Sequence, residues 1–451
     1  MQATAEDVPE GLWIEPGSEF RGLRVHGALA RGAMGVAYLA SHDVLKRPLI
    51  LKLFTPQGSE LFAEAELAAR VTSPHVVGVL DAGVEAGRPF LVQRYVDGVD
   101  LHELMGHGVQ ETGCVARMIA DVARGLAAIH RAGVVHRDIK PANLFLSGDG
   151  RALLGDFGIA RDRSRVDNEP AAGTPLFLAP EIWDGGPPSR AADLYALGCT
   201  AHLLATGKSP FIGKGAQLRL AHMTQPYVVP PQDDPERAYL FTTIAKLLAK
   251  SPQDRVAHAE GLVRTLSRIE TQAPELRSHG FGVGAVGGMS LFLRRGNLAT
   301  ASADVIVNAA YPHLTMDLGV SEALVLAAGR AIEDEAVVHA PCSMGEVVWT
   351  SAGALDARHV AHAVAALDGA ICIQRATLRT LLGARKREAR SIAFPALGTG
   401  VGQVPHALGA KLMLEAIQTF AALGPRPLEK IEIWLYDEAA YVAWRDVLDE
   451  S

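Results

Sequence analysis

Basic excess, paired cysteines and long apolar runs are all missing from this sequence. Its 43 lysines and arginines are outnumbered by 50 aspartates and glutamates, which gives a formal net charge of −7 at pH 7. Proteins that bind nucleic acids or anionic membranes generally carry a basic surface, so we expect neither kind of partner. No apolar stretch reaches the roughly 20 residues that a membrane helix needs, and the acidic N-terminal segment lacks the apolar core of a secretory signal.

The cysteine content excludes two further classes of protein. The four cysteines lie far apart in the chain: Cys114, Cys199, Cys342 and Cys372. This spacing matches neither a disulfide framework nor a zinc ribbon, and it suits a reducing compartment. The 16 histidines follow no common zinc-binding spacing either. We therefore expect a cytoplasmic protein without a structural zinc ion.

Length and composition predict more than one domain. The 451 residues are 49% apolar and include 45 glycines. At about 100–200 residues per domain, this length predicts two or three domains with cores of their own. Pro274 and Gly280 interrupt helix and strand patterns between the two halves of the chain. The expected organisation is a first domain at 18–269, a linker at 270–282 and a second domain at 283–450.

A glycine-rich turn lies between two predicted strands near the start of the first domain. It consists of Ala30, Gly32, Gly35 and Val36. Glycine has no Cβ, so its backbone can approach a phosphate group closely, although an ordinary hairpin has the same pattern. Lys52 then ends an apolar run, and Glu64 lies on the next helical pattern. These two residues are compatible with a structural ion pair as well as with a nucleotide site.

Two short segments farther along decide between these interpretations. The segment 136–143 contains Asp138, Lys140 and Asn143, and Asp156 begins an Asp-Phe-Gly sequence. Their carboxylate and amide oxygens are ligands that Mg²⁺ prefers. Together with the glycine-rich turn, Lys52 and Glu64, these segments resemble the protein kinase family over about residues 20–269. The resemblance implies a two-lobed fold with an antiparallel sheet in the N-terminal lobe and helices in the C-terminal lobe.

The family's roles can be carried over to matching positions. The glycine-rich turn would cover the phosphates of ATP, and Lys52 would hold the α- and β-phosphates while pairing with Glu64. Asp100, just after the hinge at 95–98, matches the carboxylate that contacts the ribose. Asp138 would accept the proton of the substrate hydroxyl, with Lys140 beside it. The expected Mg²⁺ ligands are Asn143 and Asp156.

The same resemblance extends to substrate class and regulation. Lys140, two residues after Asp138, is similar to the serine/threonine branch of the family. The activation loop that follows Asp156 has two hydroxyl residues, Ser164 and Thr174. Thr174 resembles the threonine that contacts the catalytic base, so we expect autophosphorylation on Ser164. A loop ordered by its own charges, without phosphate, is the alternative.

The second half of the chain alternates short apolar strands with helical patterns, which predicts a parallel or mixed sheet covered by helices. One predicted strand contains Asn308 and runs into Tyr311, followed by Gly319 and Val320. Another runs into a second glycine-rich loop: Gly398, Thr399, Gly400, Val401 and Gly402. Such loops, each opening a helix at a strand end, form anion sites from backbone N–H groups. The pair favours a cradle for a diphosphate.

Both loops together resemble the macro domain family, which has a three-layer α/β/α fold and binds ADP-ribose and its derivatives. Asn297 stands where the family commonly has an aspartate that binds adenine. Tyr311 and Ser321 replace the asparagine and acidic residue usual in members that hydrolyse ADP-ribose from proteins, and Gly402 replaces an aromatic over the distal ribose. A binding module is therefore favoured over a hydrolase, and a closed or altered pocket remains an alternative.

The combined expectation is a serine/threonine protein kinase, using Mg²⁺ and ATP, joined to an ADP-ribose-binding macro domain. Its partners would be proteins phosphorylated on serine or threonine, including ADP-ribosylated ones. The alternatives are a non-catalytic ATP-binding scaffold with the same reader, or a kinase whose macro domain hydrolyses ADP-ribose linkages. The oligomeric state is not specified by any pattern. A short basic stretch, 385–390, is interpreted as a solvated helix face.

Overall fold

The computed structural model describes residues 12–32, 35–42, 47–55, 69, 71–155, 175–365 and 372–450. Within these ranges no helix is both long and apolar enough to cross a membrane. The described chain forms two domains, and the first is divided into two lobes, as the sequence predicts.

The N-terminal lobe is a six-stranded antiparallel sheet in the order β1-β2-β3-β4-β6-β5. Its strands are β1 (Glu19–Phe20), β2 (Leu23–Gly32), β3 (Gly35–His42), β4 (Pro48–Phe54), β5 (Val79–Glu85) and β6 (Arg88–Arg94). Apolar side chains alternate along β3 and β4 and fill a core on one face. The Tyr38 hydroxyl donates to the Leu12 carbonyl at 2.7 Å, so this lobe extends upstream of the predicted start at residue 18.

The C-terminal lobe is helical and carries a small antiparallel sheet, β7-β8-β9. Its helices are α1 (Leu101–Met105), α2 (Thr112–Arg131), α3 (Pro180–Trp183), α4 (Arg190–Thr206), α5 (Ala216–Thr224), α6 (Pro235–Leu247) and α7 (Ala259–Leu266). The strands are β7 (Gly98–Asp100), β8 (Leu144–Ser147) and β9 (Ala152–Leu154). Helix α2 lies at the centre of this lobe with most of its residues buried.

The second domain contains an eight-stranded mixed sheet in the order β10-β11-β12-β17-β16-β13-β15-β14. Its strands are β10 (Arg277–Gly280), β11 (Val283–Val286), β12 (Met289–Arg295), β13 (Val305–Ala310), β14 (Val347–Ser351), β15 (His359–Val364), β16 (Ser391–Pro395) and β17 (Lys430–Leu435). Its helices are α8 (Gly319–Ala328), α9 (Ala331–Val337), α10 (Ile373–Lys386), α11 (His406–Ala422) and α12 (Glu438–Asp449).

Both faces of this sheet are covered, which confirms the three-layer prediction. Val305 and Val307 of β13 pack into one apolar cluster with α10 and α11, whereas Ile306 packs into another with α8 and α9. Helices α8 and α9 are separated at Gly329, where φ is +92°. A predicted domain boundary is wrong. The predicted linker 270–282 contains β10, which pairs with β11, so the connection between domains is only 270–276.

The two domains pack directly against each other. Thr419 of α11 donates its hydroxyl proton to the carbonyl of Gly148 at 2.7 Å, and the Cys114 thiol of α2 donates to the Ala422 carbonyl. Gly148 lies so close to α10 that a Cβ there would be 2.4 Å from the Cβ of Gln374. A glycine is therefore required at this contact.

This close approach predicts a selective effect of one methyl group. We expect Gly148→Ala to lower the free energy of unfolding by about 1–3 kcal/mol, because the added Cβ overpacks the domain contact. Gly78→Ala is the matched control, since a Cβ at Gly78 meets no atom within 4 Å. Urea unfolding of both variants measures the difference, and equal stability of the two would contradict the packing described here.

Candidate functional site

A short loop after α2 brings the predicted catalytic side chains together. The Asp138 carboxylate accepts hydrogen bonds from the Lys140 ammonium and from the Asn143 amide, each at 2.8 Å. The same amide nitrogen also donates to the Asp138 carbonyl at 2.8 Å. The segment Pro141–Asn143 forms a 3-10 turn, which places Asn143 next to Asp138. The arrangement concentrates oxygen ligands and one cation around a single carboxylate.

A buried carboxylate from another helix fixes this loop. Asp193 in the first turn of α4 is 2% exposed and accepts hydrogen bonds from His130 Nε2 at 2.8 Å and from the backbone N–H groups of His136 and Arg137 at 2.9 Å. Arg137 adopts φ +72°, a left-handed conformation that a non-glycine residue rarely takes without support. Asp193 supplies that support, because it accepts hydrogen bonds from the N–H groups of Arg137 and of the residue before it.

The two strands beside the glycine-rich turn pair with each other, and residues 33–34 of the turn lie outside the described ranges. β2 and β3 pair up to Gly32 opposite Gly35, and a Cβ at Gly35 would lie 1.9 Å from the Leu53 carbonyl oxygen. Lys52 of β4 lies directly opposite Ala37 of β3. Side chains of directly opposed residues project from the same face of a sheet, so Ala37 shares the face of Lys52.

The alternation of side chains between the two faces of β3 shows that one predicted binding residue is wrong. Val36 is 2% exposed and packs into the core on the opposite face of the sheet, with Tyr38 and Leu53. It is therefore not a ligand contact of the Lys52 face, and Ala37 takes that position. The error arose because glycine spacing identifies the turn but does not show which neighbouring residue faces the cleft.

Asp100 begins helix α1 as its N-cap. One oxygen of its carboxylate accepts the Glu103 N–H at 2.8 Å, and burial raises the pKa of this carboxyl above its usual value. The carboxylate stands directly after the hinge, as predicted. Four other predicted residues lie outside the described ranges: Glu64, Asp156, Ser164 and Thr174.

The second predicted site lies at one edge of the eight-stranded sheet. β13 and β16 are adjacent and parallel, so the loops that follow them emerge side by side. The first loop ends at Gly319, with φ +60°, where α8 begins, and the second contains Gly398, with φ +78°, before α11. Two helix N-termini therefore approach one edge, where unpaired N–H groups favour an anion.

Comparison with known families agrees with both halves of this geometry. The family described as the protein kinase domain matches residues 23–265, and the family described as the macro domain matches residues 307–413. The first match covers more than half of the chain. The chain belongs to the protein kinase family. It carries a C-terminal macro domain.

Curated relatives match the kinase domain. The chain is 35% identical over 264 residues to the serine/threonine-protein kinase PknJ of Mycobacterium tuberculosis, and 35% identical over 260 residues to PknD of the same species. It is 33% identical over 291 residues to the probable serine/threonine-protein kinase pknA2 of Bifidobacterium longum. These alignments cover 54%, 54% and 60% of this chain but only 45%, 39% and 38% of the relatives. The chain thus spans less than half of their length.

In the macro domain, the second glycine-rich loop folds back on itself. Val404 N–H donates to the Gly398 carbonyl at 3.1 Å, and a Cβ at Gly402 would lie 2.6 Å from that same oxygen. Only glycine fits at 402, so the loop in this form has no space for the aromatic residue that the macro-domain resemblance leads one to expect there. Gly400 and Val401 are exposed at its tip, and Thr399 is half-buried with its hydroxyl on the Ala396 carbonyl.

Asn308 is not a ligand contact, contrary to the sequence prediction. It is fully buried, and its amide oxygen accepts the Ser321 hydroxyl at 2.8 Å while its nitrogen lies 3.2 Å from His362 Nδ1. His362 Nε2 lies 2.9 Å from the Thr350 hydroxyl oxygen. Asn308 lies within β13, two residues before its end, and its side chain points into the protein, where it holds Ser321 in the first turn of α8.

The residues that replace the hydrolytic pair are also accounted for. The Ser321 hydroxyl is buried and donates to Asn308, so it presents no free carboxylate or base. Tyr311 is partly exposed, and burial together with the nearby Asp317 raises the pKa of its phenol. Both side chains remain neutral at pH 7, and neither can act as a general base there. Gly319 is exposed, and Val320 follows it in the first turn of α8.

The end of β12 holds one predicted residue and one that sequence reasoning missed. Asn297 is exposed, and its amide oxygen accepts the Ala299 N–H at 3.0 Å. The Gly296 N–H donates to the Leu435 carbonyl at 2.9 Å, which places Tyr436 beside this turn with 89% of its surface exposed. A single exposed aromatic is common on protein surfaces, so it is the position beside Asn297 that makes Tyr436 a candidate. The signal in the sequence was an aromatic at the end of the last apolar strand.

The buried hydrogen bonds that connect Thr350 to Ser321 lead to a prediction about pH. Thr350 donates its hydroxyl proton to the Ser351 carbonyl, so His362 must donate from Nε2 and accept at Nδ1 from Asn308. Burial lowers the pKa of His362 to about 4. Below pH 6.5 the unfolded chain binds a proton at this histidine that the folded chain refuses, so the free energy of unfolding falls as pH decreases.

We expect this histidine to lower the free energy of unfolding by about 2 kcal/mol when the pH falls from 7 to 5. The measurement compares urea unfolding of the wild type and His362→Gln at both pH values. His202 and His222, whose pKa values burial also lowers to about 4, contribute equally to both proteins and cancel in the difference. An equal loss of stability in the two proteins would show that His362 is not the group responsible.

Proposed function

We propose that the chain is a serine/threonine protein kinase whose macro domain binds ADP-ribose or a derivative. The observation that carries the first half is the Asp138 carboxylate, held by Lys140 and Asn143 in a loop that Asp193 fixes. Phosphoryl transfer depends on positioning and charge neutralisation more than on covalent chemistry, so a rigid group of this composition suits it.

In the proposed reaction, the substrate hydroxyl donates a hydrogen bond to Asp138. Its oxygen forms a bond to the γ-phosphorus as the bond to the β-phosphate oxygen breaks, ADP leaves, and Asp138 takes the proton. Lys140 donates to the same carboxylate at 2.8 Å and is placed to neutralise charge on the transferring group. Lys52 would hold the phosphates of ATP, and Asp100 would hold its ribose.

The residues present fit Mg²⁺. The amide nitrogen of Asn143 is engaged by Asp138, which turns its oxygen to serve as the ligand. The Gly155 N–H donates to the Asn143 carbonyl at 2.9 Å, and Asp156 is the next residue in the chain. The ion would neutralise phosphate charge when bound, and Asn143 and Asp156 would hold it.

A phosphotransfer assay tests this half of the proposal. We expect Asp138→Asn to lower kcat by about 10²–10⁴-fold with labelled ATP and a generic basic protein, because the variant keeps the shape but cannot accept the proton. Lys52→Ala should weaken ATP binding as well as turnover. Arg131→Ala, which breaks an exposed pair with Glu260, is the control and should retain activity. Absence of transfer by the wild type with Mg-ATP would favour the scaffold alternative.

For the macro domain, a reader of ADP-ribose is the function we propose. The paired loops would bind the diphosphate through backbone N–H groups, and Asn297 with Tyr436 would contact the adenine by hydrogen bonding and stacking. Ser321, with its hydroxyl engaged by Asn308, favours binding over hydrolysis because no carboxylate orients a water molecule.

Gly400 offers a direct test of this pocket. A Cβ at Gly400 meets no atom within 4 Å, so Gly400→Glu should fold while placing a negative charge in the diphosphate cradle. We expect it to weaken ADP-ribose binding at least about tenfold in calorimetric titrations. A saturating ATP analogue blocks the kinase site, and Gln418→Glu adds the same charge about three-quarters of the way along α11 as the control. Failure of the wild type to bind, or release of ADP-ribose from a modified protein, would contradict a reader.

A kinase domain joined to an ADP-ribose reader implies substrates that carry ADP-ribose. A kinase joined to a reader would phosphorylate serine or threonine on ADP-ribosylated proteins, or its activity would respond to the ligand through a shift between two states. We further propose that it acts in the cytoplasm and that Ser164 is its autophosphorylation site.

A further inference from the structure

One side chain of the kinase hinge is hydrogen-bonded to the macro domain. Asp97 lies between β6 and β7, and its carboxylate accepts the backbone N–H groups of Gln374 at 3.0 Å and Arg375 at 2.9 Å. These are first-turn groups of α10, which have no partner within the helix. Burial raises the pKa of Asp97 to about 6. This value still lies below 7, so the carboxylate is mostly charged at pH 7. The kinase hinge therefore caps a macro-domain helix.

The same helix contacts kinase helix α1 by charge. Arg379 forms a two-pronged pair with Glu103, with one N–O distance of 2.6 Å, and both side chains are about four-fifths buried. Farther along, Arg385 and Lys386 approach the carbonyls of His107 and Gly106, just past the end of α1. Cations at a helix C-terminus are favourable. The interpretation of 385–390 as a solvated face is thus wrong for Arg385, which is half-buried, whereas Lys386 is exposed as that interpretation expects.

The N-terminal lobe takes part as well. The Tyr95 hydroxyl of the hinge and the Cys372 thiol, just before α10, are 3.0 Å apart and buried. Leu39 of β3 joins them, and Ile50 of β4 packs against this group together with Met344 of the macro domain. Ile50 and Lys52 are two residues apart on one strand and share a face. The macro domain therefore contacts both lobes and the hinge between them.

From these contacts we propose that α10 of the macro domain positions the kinase hinge for ATP, with Asp97 and Arg379 as the positioning residues. This rests on the proposed function, in which ATP lies between Lys52 and Asp100. Asp97 is three residues from Asp100, and Glu103 donates its N–H to the Asp100 carboxylate while its own side chain holds Arg379. A segment fixed before the nucleotide arrives loses less conformational entropy on binding.

A charge reversal tests the proposal in the full chain. Arg379→Glu places a carboxylate against Glu103, and we expect about a fivefold or larger increase in the KM for ATP with kcat changed less than about twofold. Affinity for a fluorescent ADP analogue should fall by the same factor. Asp97→Asn should act in the same direction. Glu103→Arg combined with Arg379→Glu should recover part of the affinity, because the pair is restored with exchanged charges.

The control is Arg131→Glu, which reverses one charge of an exposed pair in the C-terminal lobe and should change neither KM nor affinity. Unchanged KM and ADP affinity in Arg379→Glu and Asp97→Asn would overturn the proposal. So would equal losses in KM and kcat without recovery in the double variant, since that pattern indicates general damage. Direct ADP binding separates the two hypotheses: weakened binding in a chain that transfers no phosphate supports positioning and refutes only the proposed kinase activity.

Discussion

The carboxylate of Asp97 is the point on which the two domains depend. Helix α10 begins with backbone N–H groups that need an acceptor, and the hinge supplies a charged one from another domain. Neither element is complete without the other, because an isolated α10 would lose its cap and an isolated hinge would lose its anchor. The ion pair of Glu103 and Arg379 then joins the same helix to α1.

In the proposed function, phosphate recognition would rely mainly on backbone. The glycine-rich turn of the kinase domain and the two loops of the macro domain would offer N–H groups to the expected anions, with few basic side chains. A net charge of −7 is therefore compatible with two nucleotide sites. It also disfavours polyanions such as nucleic acid, which need a continuous basic surface.

Sequence motifs identified three residues that the structure brings together, because these residues are close in the chain. Asp138, Lys140 and Asn143 lie within six positions, and one turn brings them together. Val36 and Asn308 were assigned wrongly because the motif gives the position in the chain, while the facing of a strand residue depends on the tertiary core. Tyr436 was missed because only the pairing of β12 with β17 places it beside Asn297.

The short connection between the domains is held near both ends, although most of its residues are exposed. Thr271 donates its N–H to the Gly113 carbonyl at 3.4 Å, and Leu276 is only 3% exposed. Such a segment does not behave as a flexible tether, and the usual dependence of local concentration on linker length does not apply to it. The separation between Asp138 and the loops at Gly319 and Gly398 is then constant. A modified protein held by the macro domain would present to the kinase only those hydroxyl groups that lie at one matching distance from its ADP-ribose.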